Sequence, residues 1–204
     1  ILDEGQYKNL VEGIIDQKLN DKLLDNNILL DYKNSLSIEN RIAKKYSFFF
    51  FFVSLHIIVP TLRCNMSCDY CHASSKRDKT VHFDMDKETA NKVIDVIFES
   101  PSRNIAIEFQ GGEPLLNWGL VKYIIYQSIE RNKEKDKKLL FSIVTNLLLM
   151  DEEKMNFLID HNVSVCTSLD GPKNLHDFQR KSTQSNFDHV TMWVKRFKGR
   201  YLEK

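Results

Sequence analysis

Apolar positions change rhythm near residue 48. Before it, Tyr7, Leu10, Val11, Ile14 and Ile15 recur at three- and four-residue intervals, which line one face of a helix. A second amphipathic stretch covers residues 19–24, and Asn26 and Asn27 interrupt it. Residues 28–30 read as a short strand and 38–46 as another helix. Residues 1–47 thus read as a small, mainly helical appendage with no visible chemistry.

From residue 48 onward, β-rich runs alternate with helical ones. A first strand, 48–59, leads into Pro60. Asp86 is placed to cap a helix whose inner face is Ala90, Val93, Ile94, Ile97 and Phe98, closed by Ser100 and Pro101. A strand over 105–109 precedes a helix carrying Val121, Ile124, Ile125 and Ile129. A strand over 139–144 precedes a helix capped by Asp151 and built on Met155, Leu158 and Ile159. A strand over 163–169 precedes a helix with Val190, Trp193, Val194 and Phe197, which Gly199 is expected to stop. Strict β–α alternation means parallel strands joined by crossover helices. No Gly-x-Gly-x-x-Gly loop follows the first strand, which disfavours a dinucleotide-binding fold.

The chain has 204 residues, 42% hydrophobic and 28% charged. That is an ordinary globular balance and excludes disorder and a collagen-like or coiled-coil repeat. Lys and Arg number 29 against 28 Asp and Glu, so net charge gives no argument for nucleic acid or an acidic membrane surface. The longest apolar run, 48–59, is interrupted by Ser54 and His56. It falls short of the roughly 20 residues that a membrane helix needs. With no secretory signal, a cytoplasmic location is expected.

The unusual residues gather at strand ends. Cys64, Cys68 and Cys71 follow the first strand. Gln110, Gly111, Gly112, Glu113 and Pro114 follow the second, Thr145 and Asn146 the third, and Ser168 to Pro172 the fourth. In parallel α/β folds these carboxyl ends share one face, where active sites form. Three of the four cysteines are spaced C-x3-C-x2-C, which in a reducing compartment points to a metal or cluster rather than to disulfides. Tetrahedral zinc needs four ligands. His72 adjoins Cys71, a poor position for a shared ion, and Cys166 reads as a small core residue. A four-iron cubane held by three thiolates would keep one iron open.

The segment resembles the radical S-adenosylmethionine (SAM) enzymes, whose signature is C-x3-C-x-aromatic-C, with Tyr70 as the aromatic. Gly-Gly-Glu-Pro at 111–114 matches too. So does Thr145-Asn146, with Leu147 where that family often has Gly. The run Ser168-Leu169-Asp170-Gly171-Pro172, followed by Leu175, His176, Asp177 and Arg180, is similar to the peptide-modifying branch that includes the anaerobic sulfatase maturases. Residues 55–64, with 71–74, look close to the maturase of the His-Xaa-Ser repeat peptide system. The resemblance covers about residues 55–182 and implies an α/β fold, a partial (β/α)6 radical SAM barrel with four β/α units over 48–204. Because the pattern starts at Ile1 and stops at Lys204 before a fifth strand, the chain is expected to be a piece of a longer enzyme or a shortened reading frame.

The resemblance further implies a [4Fe-4S] cluster on Cys64, Cys68 and Cys71 and a SAM site from Tyr70, Gln110, Gly111, Gly112, Glu113, Asn146 and Ser168. Here the two glycines admit a ligand to the backbone and Glu113 accepts from the methionine ammonium. Asp170, His176, Asp177 and Arg180 would line the substrate side, although Asp170-Gly171-Pro172 is also turn chemistry. His56, His82, His161 and His189 read as structural. Glu108 shares its face with Gln110, where a buried ion pair explains it as well as function does. A peptide or protein substrate and a flavodoxin- or ferredoxin-like electron donor are implied, with no nucleic acid or membrane partner. The competing readings are a zinc module on the cysteines and His72, and an inactive remnant that only binds a peptide.

Overall fold

The structure is a computed structural model that describes residues 2–26, 28–29, 32–45, 54–73, 81–182 and 186–202. The chain divides into two compact units, Ile1–Phe51 and Phe52–Lys204. The first holds helices α1 (Glu4–Val11), α2 (Gln17–Asp25) and α3 (Tyr32–Lys45). Asp3 caps α1 through a reciprocal pair with Gln6, and Asp16 caps α2. The α1 periodicity misleads: the helix buries nothing, and Ile14 and Ile15 lie beyond it, exposed. In α2 the spacing holds, with Leu19 and Leu23 fully buried. Ile28 and Leu29 form a bend rather than a strand, and the aromatic run 48–52 lies outside the described residues.

The second unit is a four-stranded parallel sheet of β1 (Leu55–Ile58), β3 (Asn104–Phe109), β4 (Lys138–Val144) and β5 (Val163–Cys166), paired in that order. Helices α4 (Lys87–Glu99), α5 (Trp118–Lys135) and α6 (Glu152–Asp160) make the crossovers. Neighbouring strands follow chain order without reversal, which is barrel topology rather than a doubly wound sheet. A two-residue antiparallel ladder, β2 (Ser67–Cys68) with β6 (Arg180–Lys181), stands apart from the sheet. Between β5 and β6 lies α7 (Lys173–Gln179), and α8 (Phe187–Leu202) closes the unit.

Alternation explains why the sheet has one dry face. Ile105, Ile107 and Phe109 of β3, with Phe141 and Ile143 of β4, pack fully or nearly buried against Ile94, Ile97, Val121, Ile124 and Leu158 of the helices. Burying side chains of this size is worth about 1.5–3 kcal/mol each. Ala106, Glu108 and Gln110 point to the other, open face, as do Leu55, Ile57 and Leu140, each about half exposed. Asp86 and Asp151 cap α4 and α6 as expected, accepting from Thr89 N and Lys154 N.

Four expectations change. Strand β5 ends at Cys166, before Leu169. Ile129 and Val194 are more than a third exposed. Helix α8 runs through Gly199, because one glycine costs only about 1 kcal/mol inside a helix anchored by Val190, Trp193 and Phe197. Cys166 is exposed on the open face and is not a core residue. Among the described residues, no helix is long and apolar enough to cross a membrane.

Candidate functional site

The strand ends converge on one cleft of about 320 Å³. Cys64, Cys68 and Cys71 line it, and none is in a disulfide. Tyr70, Gln110, Gly111, Gly112, Asn146 and Ser168 line it as well. Of the residues expected at a SAM site, Glu113 alone is absent from the lining. Of those expected on the substrate side, Arg180 reaches it and Asp170, His176 and Asp177 do not.

The loop after β1 is fixed by main chain on both sides. Leu62 N donates to Phe83 O at 3.1 Å and Met85 N to Pro60 O at 2.9 Å. Arg63 grips Asp84 with two bonds, Nε at 2.8 Å and Nη2 at 2.6 Å. Burial would raise the Asp84 carboxyl; the Arg63 and Thr61 hydrogen bonds and the Arg63 charge outweigh it and hold it below its usual range. Opposite, Gly112 N donates to Thr61 O at 3.0 Å and Glu113 N to Arg63 O at 2.8 Å.

These contacts change the reason for the two glycines. A Cβ on Gly112 would stand 2.1 Å from Arg63 O, and one on Gly111 2.4 Å from Thr61 O. Gly111 also has φ +128°, a backbone that L side chains rarely adopt. What approaches this turn is the chain's own backbone over 61–63, which carries Cys64 into the cleft.

Glu113 likewise has a different task from the one its motif suggests. Its carboxylate is fully buried. It accepts from Leu115 N at 3.0 Å, Thr145 Oγ1 at 2.7 Å and Asn146 N at 2.8 Å. It therefore ties the end of β3 to the end of β4 and presents no oxygen to a ligand. Burial pushes its carboxyl above the usual range against those hydrogen bonds. Asn146, so placed, extends Nδ2 to Asn65 Oδ1 at 2.7 Å and to Cys64 Sγ at 3.9 Å. Leu147 takes φ +62° in this turn with its side chain 1% exposed.

The far end of the cysteine loop is held by a short backbone ladder and by charged side chains. Cys68 pairs with Arg180, and Ser67 with Lys181, in the short ladder. Asp69 N donates to Gln179 O at 3.0 Å, and Lys181 Nζ reaches Asp69 at 2.6 Å. Asp170 accepts from the Tyr70 hydroxyl and from Arg180 Nε, the latter at 3.0 Å. Burial first, then the Asp170 hydrogen bond, push the Tyr70 hydroxyl up to about 12. Burial also pushes up the Cys64 and Cys68 thiols.

Three residues on this side leave the substrate list. His176 is fully buried; its Nδ1 accepts from Asp170 N at 3.3 Å and its ring packs edge-on against Phe187. Burial lowers its pKa, so the ring is neutral near pH 7. Asp177 accepts from Asn186 N and Phe187 N, capping α8. Asp170 serves as the joint just described. Glu108 bonds Gln110 Nε2 and Ser142 Oγ rather than forming an ion pair. Sequence reasoning missed Arg63, Asp84 and Asn65 entirely: their roles come from loops that meet only in the fold.

The donor set fits an iron–sulfur cubane. Among the described residues, no three His, Cys, Asp or Glu side chains converge on a single-ion site. A cubane instead spreads three thiolates over three irons. Asn146, together with backbone from Gly111 and Gly112, supplies polar groups beside the thiols.

A family model described as the radical SAM superfamily matches residues 58–203. A cysteine-type anaerobic sulfatase-maturating enzyme of Clostridium perfringens is 32% identical over 133 residues, covering 63% of this chain and 36% of that protein. The radical SAM cyclopropyl synthase TigE of Paramaledivibacter caminithermalis is 30% identical over 142 residues, covering 63% and 29%. The solved structure described as native anSMEcpe with bound AdoMet has a TM-score of 0.63 at 27% identity, covering 71% of this chain and 41% of that one. The same protein with AdoMet and the Cp18Cys peptide gives 0.62, with coverage of 71% and 40%. The chain spans less than half the length of these relatives.

Proposed function

The chain belongs to the radical SAM superfamily, its sheet and helices forming part of that family's barrel, and from that premise we propose that it is the cluster- and SAM-binding core of an enzyme that modifies a peptide or protein side chain. One observation carries the reading: Cys64, Cys68 and Cys71 line a single cleft with Gly111, Gly112, Asn146 and Ser168 at the carboxyl ends of parallel strands.

In this reading the three cysteines, as thiolates, hold a [4Fe-4S] cluster. When bound, the cluster supplies one electron that splits SAM into methionine and a 5′-deoxyadenosyl radical, which takes a hydrogen atom from the substrate. The protein's part is placement. Main-chain carbonyls of the Gly111–Gly112 turn receive the methionine ammonium. Gln110, Asn146 and Ser168 offer hydrogen bonds to carboxylate or ribose oxygens, and the Tyr70 segment meets the adenine. Glu113 positions Asn146 without touching the ligand. A peptide substrate is supported by the sulfatase-maturating relatives and by the peptide complex of anSMEcpe. The electron comes from a donor of the flavodoxin or ferredoxin class, in a reducing, cytoplasmic setting that keeps thiols reduced.

The test is anaerobic reconstitution with iron and sulfide, dithionite reduction and an assay for 5′-deoxyadenosine after adding SAM. Product that disappears in Cys64→Ala, Cys68→Ala and Cys71→Ala supports the reading. Uptake of zinc with no iron overturns it in favour of a zinc module. Iron loading with no product favours a peptide-binding remnant.

A further inference from the structure

Arg180 is left without a role by the reading above. Among the described residues it is the one Lys or Arg that lines the cleft, and its side chain is 13% exposed. Its main chain pairs with Cys68. Its Nε bonds Asp170 Oδ2, the oxygen that also takes the Tyr70 hydroxyl. Its guanidinium carbon stands 5.3 Å from the centre of the Tyr70 ring. A guanidinium stays charged at every accessible pH. Held from three sides, it is a fixed cation at the Cys68 corner, with the Asp170 anion beside it.

Reducing a cluster adds one negative charge to it. A fixed cation nearby favours that step and a fixed anion opposes it, the more so where water is sparse. Resting on the cluster reading, the geometry points to Arg180 and Asp170 as an ion pair that sets the reduction potential of a cluster on Cys64, Cys68 and Cys71. Arg180 raises that potential and Asp170 lowers it. The pair thereby controls how readily a donor of the ferredoxin or flavodoxin class passes its one electron.

A merely structural role predicts something else. If the pair only braces the loop, removing either partner loosens the same contact and moves the potential the same way, or leaves it alone. A charge role predicts opposite shifts.

The experiment is a redox titration of the reconstituted 204-residue chain, followed by electron paramagnetic resonance of the reduced cluster. It compares wild type with Arg180→Gln, Arg180→Lys and Asp170→Asn. The expected result is a more negative midpoint in Arg180→Gln, a more positive one in Asp170→Asn, and a value near wild type in Arg180→Lys. Shifts of the same sign in Arg180→Gln and Asp170→Asn, or no shift in either, overturn the inference. If Arg180→Gln takes up no cluster, the isosteric Asp170→Asn decides: a positive shift supports the charge role and any other result overturns it. A wild-type chain that binds no iron and sulfide overturns the cluster reading and this inference with it, and elemental analysis tells that outcome apart from a cluster whose potential ignores both charges.

Discussion

Cys64 and Cys68 stand four residues apart on one loop, yet different forces hold its two ends. Around Cys64 most contacts are main chain on main chain, with the Arg63–Asp84 ion pair beside them. Residues 60–63 lie between Phe83 and Met85 on one side and Gly112 and Glu113 on the other, with glycines where any Cβ would collide. Around Cys68 the contacts are two ladder rungs and a set of charges: Asp170 with Arg180 and Tyr70, and Asp69 with Lys181. The first end is set by shape, and answers to steric substitution. The second is set by charge, and answers to pH and to isosteric neutralisation.

Gly112→Ala tests the steric end most severely. The new Cβ would meet the Arg63 carbonyl at 2.1 Å, and a backbone atom cannot swing away. The expected loss is about 3 kcal/mol or more in urea unfolding, together with failure to retain iron at Cys64. Gly199→Ala is the contrast. Nothing lies within 4 Å of its Cβ position, inside α8, so a gain of about 1 kcal/mol or less is expected. Equal effects from the two would mean that the turn at Gly112 yields to a Cβ and that shape does not fix the Cys64 end.

Glu113→Ala comes next. It leaves Leu115 N, Thr145 Oγ1 and Asn146 N without their acceptor in a buried place, at a cost of about 3 kcal/mol. Glu113→Gln keeps one acceptor oxygen and costs less. Its pH signature is separate. Because the folded carboxyl titrates above the usual range, the folded chain keeps a proton that the unfolded chain has already released. Stability from this group therefore falls as pH rises through that window, and Glu113→Gln removes the slope. Chemical denaturation at several pH values checks it.

Much of this was legible because periodicity reports burial. The inner faces of α4 and α6, their Asp caps and the strands β3 and β4 follow from spacing alone, and the clustering of odd residues at strand ends located the cleft. What sequence could not give was which partner each motif residue serves. Glu113 reads as a ligand contact because its motif implies a ligand, whereas the fold turns its carboxylate toward Thr145 and Asn146; Gly112 lines the cleft, yet the reason it must be glycine is the Arg63 carbonyl. His176 and Asp177 read as substrate groups because they are polar near a site, whereas packing spends them on Asp170 and on the cap of α8. These contacts join residues 9 to 49 positions apart or close over a buried ring, and no local spacing encodes them.

Leu147 lies in the turn after β4, beside Asn146, and the difference between two of its variants is smaller. Its left-handed φ of +62° costs an ordinary residue about 1–2 kcal/mol, which its buried side chain offsets. Leu147→Ala loses the packing and keeps the strain. Leu147→Gly loses the packing and relieves it. Both destabilise, by about 2–5 kcal/mol for the alanine, but the usual order is inverted: glycine is expected to be the more stable of the two by about 1 kcal/mol. Urea melts of the pair read that difference directly, free of the larger packing loss that they share. Alanine above glycine would mean that the turn relaxes once the leucine is gone.

Asp170→Asn gives the smallest expected loss and the sharpest contrast with Glu113. Burial alone would raise the Asp170 carboxyl; the Tyr70 and Arg180 hydrogen bonds and the Arg180 charge outweigh it and hold it below the usual range. The sign is then the reverse of that for Glu113. Its stabilisation is fully present above the ordinary carboxylate value of about 4 and is lost as pH falls through the folded value. Wild type should exceed Asp170→Asn by about 1.5–2 kcal/mol near neutrality, the low end of the range for hydrogen bonds to a charged group. The gap should close in acid, while the gap between wild type and Gly112→Ala stays constant. Paired urea melts from about pH 3 to pH 7 separate the cases. A gap for Asp170→Asn that ignores pH would mean that shape holds both ends of the loop, and that the charges at Cys68 ride on a scaffold which does not need them.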